Sequence, residues 1–190
     1  MKRCLIVVDY QVDFVSGTLG FPEAETLAAP ITQKIQQYHA AKDAVLFTLD
    51  THGTDYASTQ EGRNLPIAHC IHGTAGHTLY GCVAQERLPQ DVCFEKGTFG
   101  SDRLFAYLQQ QAYTDVELVG LVSNICVLAN AVLAKTALPE AHIAVDASCT
   151  ASFQPALHEA ALDVMEGLQI DVFNRKDGAL SVSYTHLRAH

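Results

Sequence analysis

Val116-Glu117-Leu118-Val119-Gly120-Leu121-Val122-Ser123-Asn124-Ile125-Cys126-Val127 passes from a largely apolar strand, through a turn, into the start of a helical pattern. The same unit recurs on both sides of it. Short apolar strands are expected over residues 4–8, 44–49, 92–95, 116–121, 143–145 and 170–173, and helices over 28–41, 101–111, 124–137 and 155–168. Strands that are apolar almost throughout, alternating with amphipathic helices, indicate a parallel sheet covered on both faces. The expected fold is a three-layer α/β/α domain around a six-stranded, mainly parallel, Rossmann-like sheet. In such sheets the ligand crevice lies at the carboxyl ends of the strands. No GxGxxG or Walker-type glycine pattern is present, which argues against a dinucleotide or nucleoside triphosphate in that crevice.

The chain has 190 residues, 48% of them hydrophobic, and no change of composition that marks a linker. One domain, residues 1–177, is expected. The last stretch, residues 178–190, lacks periodicity and is set aside, with His186 and His190, as a non-native or disordered tail. Only 12 Lys and Arg stand against 21 Asp and Glu, a net charge of −9. Phosphate recognition needs clustered cations, so neither nucleic acid nor an anionic membrane is expected as partner. The six Cys form no CxxC pair, and the N-terminus enters a strand without a signal-type apolar region. A cytoplasmic protein with reduced thiols is expected, homo-oligomeric and acting on a small molecule.

Cys126 falls in the first turn of the helix after the fourth strand, where unpaired N–H groups and the positive end of the helix dipole favour a thiolate and an adjacent oxyanion. A base and a cation stand at comparable strand ends, Asp9 after Leu5-Ile6-Val7-Val8 and Lys96 after Val92-Cys93-Phe94-Glu95. Together these three residues suit a cysteine hydrolase. The plainer readings are a core thiol at Cys126, a turn residue at Asp9 with Asp13 as rival base, and a solvated charge at Lys96.

The long irregular stretch 51–90 is rich in His, Gly and Thr, and a connection of that length usually carries function. In Asp50-Thr51-His52, residues two apart in extended chain point to one side and can share a divalent metal. His69 offers a third ligand and Glu61 a fourth. This O/N set suits zinc first, with manganese or iron(II) as alternatives. His72 and His77 compete as ligands, Cys70 is a possible thiolate donor, and the plain alternative is a turn cap with surface histidines.

Six segments in the same order resemble the nicotinamidase branch of the isochorismatase-like cysteine hydrolases. They are Val7 to Phe14, Asp50-Thr51-His52, Glu61 to Pro66, His69 to Thr74, Glu95 to Ser101, and Gly120 to Val127. The resemblance implies that family's hydrolase fold, a catalytic triad of Asp9, Lys96 and Cys126, and a metal on Asp50, His52 and His69, with Glu61 a fourth ligand in some members. It also implies a non-proline cis peptide between Val122 and Ser123, aiming the N–H groups of Ser123 and Cys126 at one oxyanion. The implied reaction is hydrolysis of nicotinamide to nicotinic acid and ammonia through a Cys thioester, with the metal orienting the pyridine ring and Phe14 and Val122 as pocket wall. The chain departs from its relatives at Val122-Ser123-Asn124 and at His77. Alternatives are another small amide or an N-carbamoyl compound as substrate and, in a different class, a zinc-containing structural or thiol redox protein.

Overall fold

A computed structural model describes residues 2–175 of the chain. The expectation for the tail at 178–190 lies outside the described residues. Six strands form one sheet: β1 (Arg3–Val8), β2 (Ala44–Asp50), β3 (Val92–Lys96), β4 (Asp115–Leu121), β5 (His142–Ala151) and β6 (Asp171–Phe173). Their order is β3-β2-β1-β4-β5-β6, and every ladder pair is parallel. The order reverses direction at β1, between β2 and β4, which is where open α/β sheets place their ligands.

Eight α-helices connect these strands: α1 (Val12–Val15), α2 (Pro22–Thr26), α3 (Ala28–Ala40), α4 (Gln60–Asn64), α5 (Gly81–Glu86), α6 (Asp102–Gln110), α7 (Leu128–Ala137) and α8 (Pro155–Gly167). Alternation along each strand divides the core in two. Cys4, Ile6 and Val8 of β1 join Leu118 of β4 under α6, α7 and α8, through Leu104, Leu108, Ala131, Leu162 and Met165. Leu5 and Val7 face the opposite way, with Phe47 and Val119, under α3 and α5, through Ile31, Ile35 and Val83. Burial on both faces explains why the strands read as unbroken apolar runs.

Gly120 is required by the sheet itself. It pairs with Val8 of β1 at φ +114°, and a Cβ there would fall 2.1 Å from the Val8 carbonyl oxygen. β5 is longer than expected because a bulge interrupts its pairing: two steps along β4, from Leu118 to Gly120, match five along β5, from Val145 to Thr150. Stretch 51–90 holds short helical turns rather than plain loop. No helix among the described residues is long and apolar enough to cross a membrane.

Candidate active site and metal centre

Parallel register brings the charged residues together before any side chain turns. Val8 lies beside Thr48 and Gly120, and Asp50 lies beside Lys96, so Asp9, Asp50, Lys96 and the turn after β4 converge at one edge of the sheet. Asp9 takes a left-handed conformation, φ 45°, and its N–H donates to the Thr48 carbonyl at 3.1 Å. A non-glycine residue with positive φ is uncommon, and here it coincides with the candidate base. The Thr48 hydroxyl donates to Asp9 Oδ1 at 2.6 Å.

Lys96 is buried, and its Nζ makes four contacts. It is 2.7 Å from Asp9 Oδ2, 3.2 Å from Asp50 Oδ1, 3.0 Å from the Thr98 carbonyl and 3.6 Å from Cys126 Sγ. Burial alone pulls an ammonium pKa down, but Asp9, the Cys126 sulfur and Asp50 outweigh it and hold Lys96 charged. Burial raises the Asp9 carboxyl above the usual carboxylate range, against the pull of Lys96. A carboxylate raised in this way is a stronger base.

Cys126 is 5% exposed. Its thiol is pushed well above the ordinary value, first by burial and then by the charge on Asp9, with Lys96 opposing. Desolvation and the neighbouring Asp9 carboxylate thus work against the thiolate that the helix start is expected to favour. Cys126 also precedes the regular helix. It lies within a π-helical turn, Ser123–Val127, that leads into α7. Such turns are frequent at functional sites.

The cis peptide joins Leu121 to Val122, one bond earlier than expected. The strand remains regular to Leu121, so the break falls at the strand's last residue rather than inside the turn. Within the turn the Val122 carbonyl accepts from the N–H groups of Ile125 and Val127. Ser123 is buried, and its hydroxyl meets His158 Nδ1 at 2.9 Å.

Asp50, His52, Glu61 and His69 form the second half of the site. His52 reaches it because its backbone bridges to Ile71, with its N–H on the Cys70 carbonyl and its own carbonyl accepting from His72. His69 is thereby held alongside. Glu61 rides on α4, which Thr59 caps by accepting from the Gly62 N–H at 3.0 Å. Gly62 itself is needed because a Cβ would lie 2.0 Å from the Tyr56 carbonyl oxygen.

Asp50 Oδ2 is 3.0 Å from His52 Nε2 and 3.3 Å from His69 Nε2, and Glu61 Oε1 is 3.7 Å from each. A tetrahedral ion with ligands at about 2.0–2.1 Å separates them by about 3.3–3.4 Å, so these gaps bracket what zinc requires. The four donor atoms lie within 4.8 Å of one another. His69 Nδ1 donates to the Ile67 carbonyl at 2.8 Å, which fixes the ring with Nε2 turned toward the cluster. Burial works against ionisation of Asp50, yet its bonds to His52 and His69 and the nearby Lys96 hold its carboxyl well below the usual range. The donor set fits a divalent metal.

The rival residues stand elsewhere. Asp13 accepts from the Cys70 N–H at 2.7 Å and braces the loop rather than facing the thiol. His72 is exposed, and His77 Nε2 meets the Thr51 hydroxyl at 2.8 Å. Cys70 is packed in the core. Four residues not singled out from sequence also belong to the site. Thr48 supports Asp9, and Gln11 clasps Asp50 through its N–H at 2.7 Å and its carbonyl at 2.9 Å. Tyr56 stacks on His52 and His69 with centroids 4.8 and 5.1 Å away, and Asn130 binds the Cys126 carbonyl. Polar residues amid apolar runs, as Thr48 and Asn130 are, were the available signal.

Between the two halves lies a pocket of about 330 Å³. Cys126 lines one side and Asp50, Glu61 and His69 the other, with Phe14, Leu19, Leu65, Ile67, Phe99, Val122, Ile125 and Phe153 as apolar wall. Both expected wall residues, Phe14 and Val122, are in place.

A family profile described as Isochorismatase domain matches residues 3–177. The Bacillus subtilis isochorismatase family protein PncA is 30% identical over 144 residues, 70% of this chain and 78% of that protein. Nicotinamidase of Saccharomyces cerevisiae is 25% identical over 175 residues, 70% of this chain and 81% of that protein. The crystal structure of nicotinamidase/pyrazinamidase PncA from Bacillus subtilis has a TM-score of 0.82 at 29% identity, covering 90% of this chain and 99% of that one. With that profile spanning almost the whole described chain, the chain belongs to the isochorismatase family as a nicotinamidase-like member.

Proposed function

We propose that the protein hydrolyses nicotinamide to nicotinic acid and ammonia, with Cys126 as nucleophile, Asp9 as base and Lys96 as the balancing cation. The observation that carries this reading is the placement of Lys96 Nζ 2.7 Å from Asp9 and 3.6 Å from the Cys126 sulfur, where that sulfur lines an apolar pocket. Burial and the Asp9 charge work against a free thiolate, so attack calls for a base. Asp9, raised by burial, is suited to take that proton as the sulfur adds to the amide carbonyl. Backbone N–H groups among Val122, Ser123 and Cys126 are assigned to the resulting oxyanion. Asp9 then returns the proton to the departing nitrogen, and ammonia leaves a thioester on Cys126. In the second half Asp9 takes a proton from water, hydroxide adds to the thioester, and the adduct collapses by breaking the C–S bond, the expelled sulfur taking that proton back from Asp9 as nicotinic acid is released. Lys96 keeps Asp9 ionisable throughout.

Asp50, His52 and His69 would hold the divalent metal, with Glu61 the fourth donor and zinc the foremost candidate. Bound there, it would supply a Lewis acid for a ring nitrogen. Phe14 and Val122 flank the ring on apolar surface. The test is ammonia release from nicotinamide, benzamide and an N-carbamoyl amino acid. Nicotinamide should be the best of the three, with its advantage over benzamide residing mainly in KM. Preference for the carbamoyl compound, or no ammonia from any amide, overturns the assignment.

A further inference from the structure

Asn130 stands in the first turn of α7, in Leu128-Ala129-Asn130-Ala131-Val132-Leu133, and is completely buried. Asparagine is a poor helix former, and its amide must find partners when desolvated. It finds three, using both donors and one acceptor lone pair. Oδ1 accepts from the Ser101 N–H at 3.0 Å, and Nδ2 donates to the Phe99 carbonyl at 3.1 Å and to the Cys126 carbonyl at 2.8 Å. The amide cannot be turned over, since Oδ1 would then face two carbonyl oxygens.

These partners belong to two separate pieces of the site. Cys126 is in the π-helical turn after β4. Phe99 and Ser101 are in the loop after β3, which begins with Lys96 and whose Thr98 carbonyl accepts from Lys96 Nζ at 3.0 Å. Phe99 is also part of the pocket wall. One side chain therefore ties the turn carrying the thiol to the loop carrying the ammonium and the wall. We infer that Asn130 is a positioning residue that fixes Cys126 against Lys96 and Phe99. This rests on the reading of Cys126 as nucleophile.

The two arms of the clamp can be separated by substitution. Asn130→Val removes all three bonds and leaves an apolar side chain. In Asn130→Thr the hydroxyl can donate to the carbonyl four residues back in a helix, which is that of Cys126, but it is too short to serve Phe99 and Ser101 as well. Displacing a reacting group slightly lowers rate strongly. Asn130→Val should therefore lower kcat by about tenfold or more and slow alkylation of Cys126 by iodoacetamide by a similar factor. Asn130→Thr should bring both rates back toward wild type while KM stays raised, because the Phe99 wall remains untied.

A residue that only filled space would change thermal stability and active fraction, and leave KM and the alkylation rate of folded protein unmoved. That outcome in both variants overturns the inference. If Asn130→Val does not fold, a wild-type KM in Asn130→Thr overturns it alone. Wild-type protein that alkylates at Cys126 yet releases no ammonia from any amide refutes the proposed reaction instead, and the alkylation comparison still decides the role of Asn130.

Discussion

Lys96 Nζ lies 3.2 Å from Asp50 Oδ1, so the ammonium beside the thiol also faces the carboxylate shared by His52 and His69. Backbone register makes this adjacency, since Asp50 and Lys96 are direct partners across β2 and β3. Two half-sites that look independent in sequence are thus joined through one buried cation.

Replacing that cation should cost both turnover and fold. The plainer sequence reading of Lys96 as a solvated charge does not describe its side chain, which is 1% exposed and compensates two buried carboxylates. Removing one partner of such a group leaves uncompensated charge, at a cost of about 3–5 kcal/mol. Lys96→Ala should therefore lower the urea midpoint markedly as well as kcat. Lys96→Arg should recover only part of either, because a planar fork does not match a point charge held by four separate partners. A Lys96→Ala protein with wild-type stability would show that the carboxylates are compensated in another way.

Cys126→Ser should fold and lose hydrolysis by several orders of magnitude, on the order of the effects seen when a nucleophile is removed. The hydroxyl is close to the thiol in size, so the pocket is preserved while the nucleophile is weakened. Ammonia release and thermal melting on one preparation separate the two effects. Retained turnover eliminates the covalent route.

Asp9→Asn should be as damaging as loss of the thiol, since the same carboxylate serves in both half-reactions. Asp13→Asn should differ in kind. Its Oδ2 holds the Cys70 N–H at 2.7 Å, and Gly17 and Gly76 pack so closely that a Cβ on either would meet Asp13 Oδ atoms at 2.3 and 2.1 Å. Stability should fall there more than kcat. Steady-state kinetics beside denaturation curves distinguish the pair, and the reverse ranking would make Asp13 the base.

Stability should be greatest between two pH limits set by groups remote from the metal-type cluster. Burial opposes ionisation of Asp146, but Lys34, 2.7 Å away, and the Ser148 hydroxyl and N–H hold its carboxyl below the usual range. Its contribution is complete above the unfolded value of about 3.9 and is lost as pH falls toward the folded one. Burial pushes the thiol of Cys4 far above its ordinary value and that of Cys149 up to about 11. Their contribution is complete below about 8.5 and declines as pH rises, because the unfolded chain then releases protons that the folded chain retains. Chemical denaturation across pH should give a dome, and Asp146→Asn should flatten its acid side. An alkaline limb that is unchanged in Cys4→Ala and Cys149→Ala would assign that limb to other groups.

The sheet was legible because its central strands are buried on both faces, as the run Leu5-Ile6-Val7-Val8 shows. Asp9, Lys96 and Cys126 were legible as candidates because each follows such a run. Their roles are a separate matter, drawn from chemistry and resemblance. What sequence could not give were relationships fixed by tertiary contact. The bulge in β5 begins beside Asp146, which meets Lys34 on α3 and Asn174 beyond β6, partners far away in sequence. The upward shift of the Cys126 thiol comes first from desolvation, which spacing does not report. Asn130 was visible only as a polar interruption of an apolar helix, with nothing local to name its partners.

Across the two half-sites three carboxyls, Asp9, Asp50 and Glu61, are set against one ammonium, Lys96, which contacts only the first two, and a dication at the carboxylate–histidine cluster would offset the remaining charge. Purified protein should accordingly contain about one divalent ion per chain, zinc foremost for an O/N donor set. His52→Ala with His69→Ala should abolish it, since each removes an Nε2 that no neighbouring group replaces within the cluster. Glu61→Gln should weaken retention without abolishing it, as Glu61 is the most exposed of the four and the farthest from both histidines. Metal analysis after extensive dialysis, followed by competition with a chromophoric chelator, ranks the variants without reference to turnover. If the ion orients a pyridine nitrogen, its loss should raise KM for nicotinamide strongly and KM for benzamide little. A stoichiometric ion that survives the double histidine substitution would move the metal site to His72 and His77. Nicotinamide turnover that is intact in protein free of metal would leave ring orientation to Phe14 and Val122 alone.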